Sequence, residues 1–550
     1  MYPSCCAAAM PLPPAIGPDD LAGLEYIYPM PAGPAPDPDL DDDGLPNTWE
    51  TQFGLDPNSA TGPNGATGDP DGDGIPNSEE YAKGTHPQGF VKRFFAEGVV
   101  NNFFETQIAL LNPGTTPARV LLRLQPQGGV EAPYFINVPA GNQRVVNSAT
   151  LGSLITAPFS TLIESDVPIV ADRTVMWAGG AAYGSHTETA VLSPAPIWYL
   201  AEGATGGGFD LYYLVQNSNE GTLQITVTYL RPGGQPPLVK SYDVPGKSRV
   251  TIWVDEEVIP GSPGKPLSAT DVSAKVVSNG GSIIVERAMY YTPAGAPVYS
   301  AGHESAGVPQ QGEGQALPLE WFFAEGATGS FFDTYILLAN PGTSAANVTA
   351  TYLLPGGVTY SKTYNVPRES RFTIRLDDEE IPAGSGIRPL QSTAVSTTIT
   401  SNVAVIAERS MWWPDGQWYE AHNTVGAQSR GTKWAIAEGE FGGARAAQTF
   451  LLIANDGNQP ANIRVTAMTD AGAAIAWPSA TTTFAVPARS RYTVAVDSAT
   501  FPSLTQRFGA VVESINGQPI VVERSNYYNV VPGQLWSSGG AALAAKLSTP

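Results

Sequence analysis

A chain of 550 residues is too long for a single hydrophobic core and implies several domains. Only 15% of its residues are charged, while 58 glycines and 49 prolines accompany many Thr, Val, Ala and Ser, a mixture that suits short strands joined by turns rather than helices. The net charge of −22 argues against nucleic acid and anionic membrane surfaces as partners.

Residues 1–36 are rich in Pro and Ala and read as a disordered terminus. They lack the basic and long apolar regions of a recognisable signal peptide. The two cysteines, Cys5 and Cys6, are adjacent and have no partner motif, so they belong to this terminus, and the rest of the chain is expected to fold without disulfides. No run of about 18 apolar residues occurs, so no transmembrane helix is expected.

Acidic residues concentrate next. Residues 1–90 hold fifteen Asp/Glu against Lys83 alone, which gives −14 and leaves −8 for the other 460. Within residues 37–90, two stretches have the spacing of a twelve-residue calcium loop. The first runs from Asp39 to Glu50 and the second from Asp69 to Glu80. Carboxylates at positions 1, 3 and 5 converge on one centre, and Gly at position 6 permits the turn. Position 7 supplies a carbonyl, position 9 often acts through water, and an acid at position 12 closes the shell. The candidate ligands are Asp39, Asp41, Asp43, the Leu45 carbonyl, Asn47 and Glu50, then Asp69, Asp71, Asp73, the Ile75 carbonyl, Asn77 and Glu80. Each loop runs into a short helical signal, Thr48–Phe53 and Ser78–Lys83, stopped by Gly54 and Gly84. Pro31–Pro38 forbids an entering helix, so neither loop is a full EF-hand. With Phe53-Gly54-Leu55-Asp56-Pro57 and Glu80 to Pro87, residues 37–87 resemble the bacterial thrombospondin type-3-like calcium repeat. That resemblance implies an extracellular setting with millimolar calcium and a rigid, calcium-dependent spacer. Pro46 and Pro76 at position 8 depart from paired EF-hands and put a bridging strand between the loops in doubt.

The remainder is four copies of one unit. An aromatic residue shortly before Ala-Glu-Gly recurs at Glu97, Glu202, Glu325 and Glu438, with spacings of 105, 123 and 113 residues. In the same order each time follow an apolar run ending in Asn112, Asn217, Asn340 or Asn455, and an arginine at 144, 249, 371 or 491. An acid–arginine pair comes late: Asp172-Arg173, Glu286-Arg287, Glu408-Arg409 and Glu523-Arg524. Three copies end near His186, His303 and His422, which read as loop residues. Copy two shows seven candidate strands in about 110 residues, which fits a two-sheet sandwich and is too large for one propeller blade. The expected architecture is mainly β: four tandem Ig-like antiparallel β-sandwich modules at 92–191, 197–307, 320–427 and 433–545. Short linkers imply an extended row. Exposed edge strands would offer one route to self-association. The Ala-Glu-Gly, Asn340-Pro341-Gly342 and Glu-Arg phrases resemble an uncharacterised family of bacterial secreted repeats, a domain of unknown function, spanning about 92–540.

No catalytic set emerges. Single histidines in three of four copies do not make one, and an acid pair copied four times reads as structural rather than as a glycosidase pair. In the strand Ile283–Tyr290, alternation places Glu286 and Arg287 on opposite faces, so one charge must lie on an apolar face. Each Ala-Glu-Gly glutamate is therefore expected to pair with one of the recurring arginines of its own module, such as Glu202 with Arg287 or Arg249. The aromatics Trp198, Trp321, Trp434, Trp412-Trp413 and Tyr290-Tyr291 read as packing or as a sugar-stacking platform. The sequence points to a non-enzymatic, extracellular or cell-surface, calcium-binding structural or adhesive protein with the modules as a stalk or fibre. A carbohydrate-binding module array is the alternative, and self-association or extracellular polysaccharide are the partners left open.

Overall fold

The computed structural model describes residues 37–178, 183–472, 474–504 and 507–547. The readings made for residues 1–36, including Cys5 and Cys6, lie outside them. The chain forms two compact units, one ending at Pro87 and the other beginning at Gln88.

In the first unit, the helices Asn47–Phe53 and Asn77–Lys83 are entered from the extended residues Pro46 and Pro76. Both stop at a left-handed glycine, Gly54 (φ 78°) and Gly84 (φ 69°), where a side chain would be strained. A small core holds Leu45, Phe53 and Leu55. The Trp49 ring lies 5.3 Å from Phe53 and 5.5 Å from Tyr81, which ties the helices together. Among the described residues no strand bridges the two loops. Backbone bonds from Asn77 to Gly68 (2.8 Å) and from Ser78 to Ala66 (2.9 Å) connect the second helix to the intervening turns.

In the second unit, module 1 shows the repeated plan. Its strands are β1 (Val91–Phe95), β2 (Phe104–Asn112), β3 (Ala118–Pro126), β4 (Ala132–Val138), β5 (Asn142–Val146), β6 (Phe159–Ser165), β7 (Val170–Trp177) and β8 (Gly184–Thr189). One antiparallel sheet has the order β1-β6-β3-β4 and the other β5-β2-β7-β8, and modules 2 to 4 repeat both orders with small additions. Strand chemistry sets the faces. In Leu223–Leu230, Ile225, Val227 and Tyr229 are buried while Thr226 and Thr228 are only half-buried. The opening tryptophans are core residues. The indole N–H groups of Trp198, Trp321 and Trp434 donate to the carbonyls of Ile283, Val405 and Ile520. In module 1 Arg93 stands at that position and donates to the matching carbonyl of Ile169 (3.0 Å).

The modules do not form the extended row that short linkers suggested. The β8-type strand of each module packs against those of both neighbours: β8, Ala301–Ala306, Glu420–Val425 and Ser538–Leu543 close into a ring in which the fourth returns to the first. The outer face of each β5-β2-β7-β8 type of sheet is thereby buried, and burial of that face favours closure over extension. These strands carry His186, His303 and His422, so the loop assignment for the three histidines is corrected. Gly, Ser, His and Glu have weak strand preferences, but pairing inside the ring overrides them.

Candidate functional site

In the first loop, single oxygens of Asp39, Asp41 and Asp43 lie within 4.8 Å of one another, and the same holds for Asp69, Asp71 and Asp73 in the second. Backbone N–H groups hold the carboxylates in place. Asp39 accepts from Gly44 (2.9 Å), Asp43 from Leu45 (2.9 Å) and Ala66 (2.6 Å), and Asp69 from Gly72 (2.9 Å) and Gly74 (3.0 Å). Glu50, at position 12, is fully buried, and neither of its oxygens has a hydrogen-bond partner. Burial and the facing carboxylates of Asp41, Asp43 and Asp39 push its carboxyl up to about 7. Glu80 is buried and accepts from Thr85 (3.2 Å). The position-9 asparagines are turned to other work. Asn47 accepts from the Leu40 N–H (2.9 Å), and Asn77 donates to the carbonyls of Pro63 and Gly65 (both 2.9 Å). The Asn77 Oδ1 atom, its acceptor, is buried with no hydrogen-bond partner. Leu45 and Ile75 are fixed as position 7 of their loops by bonds from their N–H groups to Asp43 and Asp73 (2.9 and 3.0 Å).

The second concentration of charge lies inside the ring. The expected pairs are present in three modules: Arg173–Glu97 (3.3 Å), Arg287–Glu202 (3.4 Å) and Arg409–Glu325 (2.9 Å). In module 4, Arg524 donates instead to the Glu438 carbonyl (2.5 Å), and the Glu438 carboxylate pairs with Arg507 (3.2 Å). The acid of each acid–arginine pair reaches the preceding module. Arg173 meets Glu286 (2.7 Å), Arg287 meets Glu408, Arg409 meets Glu523 (2.9 Å) and Arg524 meets Asp172 (3.3 Å), which closes the cycle. Each of these acids also accepts a backbone N–H from the neighbour's Ala-Glu-Gly segment. The donors are Glu97 (2.8 Å), Ala201 (2.6 Å), Ala324 (2.7 Å) and, for Asp172, Ala437 and Glu438 (2.8 and 2.9 Å). The two recurring phrases are thus the two halves of one interface. Sequence alternation had already separated each acid from its arginine. It could not show that both are buried at junctions, the acid against the preceding module and the arginine against its own module and the next.

The imidazole Nε2 atoms of His186 and His303 lie 3.4 Å from Glu97 and Glu202, and that of His422 lies 3.6 Å from Glu325. Burial holds the pKa of His422 down at about 4, against 6.5 ordinarily, and depresses the other two as well. The unfolded chain therefore takes up the proton first, and stability is lost as the pH falls from about 6.5 towards 4. The His422 contribution reaches on the order of 3 kcal/mol at the acid end. His422→Asn should flatten the pH dependence of the urea midpoint between pH 7 and 4.5, and an unchanged slope would exclude His422 as a source.

The aromatics weighed as a sugar platform are interior. Trp198, Trp321, Trp412, Trp413, Trp434 and Tyr290 are at most 5% exposed, and Tyr291 sits between Phe209 (4.7 Å) and Trp412 (6.1 Å). They pack cores and junctions and form no stacking face.

The fold and its contacts define a mainly β protein, an array of tandem antiparallel β-sandwich modules. No family model matches the sequence, and no curated protein matches it. Solved structures give only weak likenesses. Thermotoga maritima 1070 is 18% identical, with 19% of this chain and 94% of that one covered and a TM-score of 0.18. The Anabaena sensory rhodopsin transducer is 21% identical, covering 17% and 98%, with a TM-score of 0.15. A tetra-tandem repeat from the extending region of a large adhesion protein is 10% identical, covering 80% and 93%, with a TM-score of 0.10. Scores this low carry no argument about function.

Proposed function

We propose that this chain is an extracellular, calcium-binding structural or adhesive surface protein, in which a calcium-ordered segment precedes a closed ring of β-sandwich modules. The observation that carries the reading is Glu50, a fully buried carboxylate with both oxygens unpartnered, beside the three aspartates of its loop. Such a group is costly without a cation, and a hard divalent ion with oxygen ligands removes the cost. The calcium concentrations found outside cells suffice for loops of this kind. A non-enzymatic role is supported by what the recurring acids, arginines and histidines do, which is to hold modules to one another. No helix among the described residues is long and apolar enough to cross a membrane. Cell-surface polysaccharide or further copies of the chain are the partners the reading leaves for a protein of this charge.

Calorimetry of the full chain should show two calcium sites, with hydrogen-exchange protection of residues 37–87 gained on binding and lost to chelator. Glu50→Gln should weaken the first site by about tenfold or more. Absence of binding at millimolar calcium would defeat the proposal.

A further inference from the structure

The buried charges at the module junctions can be set against each other. At the junction of modules 2 and 3, Glu202 and Glu408 face Arg287 and Arg371. At the next, Glu325 and Glu523 face Arg409 and Arg491. Where module 4 meets module 1, Asp172, Glu438 and Glu440 face Arg445, Arg507 and Arg524. Among the described residues each of these sets is balanced, Glu420 apart, whose carboxylate is held by backbone N–H groups from all four modules. The junction of modules 1 and 2 is not. Glu97, Glu188, Glu286 and Glu304 surround Arg173 and Arg249, four acids against two arginines. The excess comes from two positions in the central strands. Glu188 stands where the other modules have Ser305, Thr424 and Ala542, and Glu304 where they have Thr187, Asn423 and Ala541.

Glu188 is answered by protein. Its oxygens accept the N–H groups of Thr189 (2.8 Å) and Ala306 (2.9 Å). Glu304 is not. Neither of its oxygens takes part in a hydrogen bond, although Oε2 lies 2.8 Å from Arg173 Nη2. His186 is 1% exposed, and neither ring nitrogen has a hydrogen-bond partner. One oxygen of Glu97, one nitrogen of His186 and one oxygen of Glu304 lie within 4.8 Å of one another. The next junction shows what a metal-free version looks like. There Asn423 takes the place of Glu304, and its amide donates to Glu202 (2.5 Å). At the first junction a second carboxylate replaces that amide, so two acids face each other and share a single guanidinium nitrogen, Arg173 Nη2, 3.3 Å from Glu97 and 2.8 Å from Glu304.

We propose that Glu97, His186 and Glu304 form a buried site for a divalent transition-metal ion that joins module 1 to module 2. A dication cancels the two excess charges, which a dry interior otherwise penalises heavily. One imidazole and two carboxylates form a borderline donor set that suits zinc rather than calcium, so the site is chemically distinct from the all-oxygen acidic loops. Because the ligands come from two modules and are sealed from solvent, the ion would enter as the ring closes, and binding and closure would be one event.

The test is expression of the full chain in medium where cobalt replaces zinc, followed by EGTA to strip the acidic loops. The readouts are metal content, visible absorption and X-ray absorption at the cobalt edge. The expected result is one EGTA-resistant cobalt per chain with a nitrogen donor in its shell. Glu304→Asn, which installs the residue the second junction already tolerates, should lose that ion while keeping its far-UV dichroism. Wild-type protein without EGTA-resistant metal, a shell of oxygen alone, or a folded Glu304→Asn variant that retains the ion would each overturn the proposal. If protons neutralise the excess instead, the wild type will be metal-free and Glu304→Asn at least as stable.

Discussion

Glu408→Ala is expected to destabilise the β-sandwich ring by about 3–5 kcal/mol, the cost of removing one partner from a buried pair. Glu408 and Arg287 are both fully buried and come from different modules. The substitution leaves the Arg287 guanidinium with only Glu202 as a charged partner, 3.4 Å away. It also leaves the Ala201 N–H without its acceptor. An orphaned buried donor adds about 1–3 kcal/mol by itself, so the two effects fall within one estimate rather than adding to it. An exposed pair elsewhere in the chain gives the control. Lys265 and Glu256 also touch, but both are near half-exposed, and Glu256→Ala should change stability by no more than about 0.5 kcal/mol. Guanidinium unfolding followed by the fluorescence of the buried tryptophans reads both. Glu408→Gln divides the effect further. Its amide oxygen can still accept from Ala201, but its NH₂ group faces the guanidinium, so most of the loss should persist. Equal midpoints for Glu408→Ala and Glu256→Ala would show that the ionic cycle does not hold the modules together.

The sandwich modules were legible because their information is local. Leu223–Leu230 alternates apolar and polar residues through Tyr229, and the observed strand spans that run. The helices that follow the acidic loops were legible for a similar reason, since Gly54 and Gly84 stop them by their own backbone preference. Closure of the ring was not legible. It depends on faces that alternation marks as polar or mixed and that become interior only when another module covers them. Glu286-Arg287 illustrates this: the intramodular half of the pairing follows from the strand period, whereas the partner of Glu286 is Arg173, 113 residues away. The central strands were hidden more completely. Ala301–Ala306 reads Ala-Gly-His-Glu-Ser-Ala, and nothing in that composition signals a fully buried strand.

Glu420→Ala should cost about 4 kcal/mol or more, because this carboxylate is where all four modules meet. Its Oε2 accepts the N–H groups of Ser185 (3.0 Å) and Gly539 (3.2 Å), and its Oε1 those of Gly302 (3.2 Å) and Ala421 (3.0 Å). These donors come from modules 1, 4, 2 and 3, one from each. The matching positions in the other modules are Gly184, Ala301 and Ser538, so a single long acid serves the whole cycle. Four N–H dipoles aimed at one buried point make an anion hole that the chain fills with its own side chain. Removing that side chain leaves four donors unsatisfied at about 1–3 kcal/mol each, reduced by whatever water can enter. The hole has a chemical signature that a merely looser core lacks. Formate or acetate should raise the melting temperature of Glu420→Ala in a saturable way and leave the wild type unmoved, because an anion that binds the folded state alone stabilises it by mass action. Glu420→Gln should fall between the two, since its oxygen accepts some of the bonds while its amide opposes the rest. A Glu420→Ala variant as stable as wild type would show that the central carboxylate is not what draws the four strands together, and a destabilised one indifferent to small carboxylates would show that the cavity, not the lost anion, sets the cost.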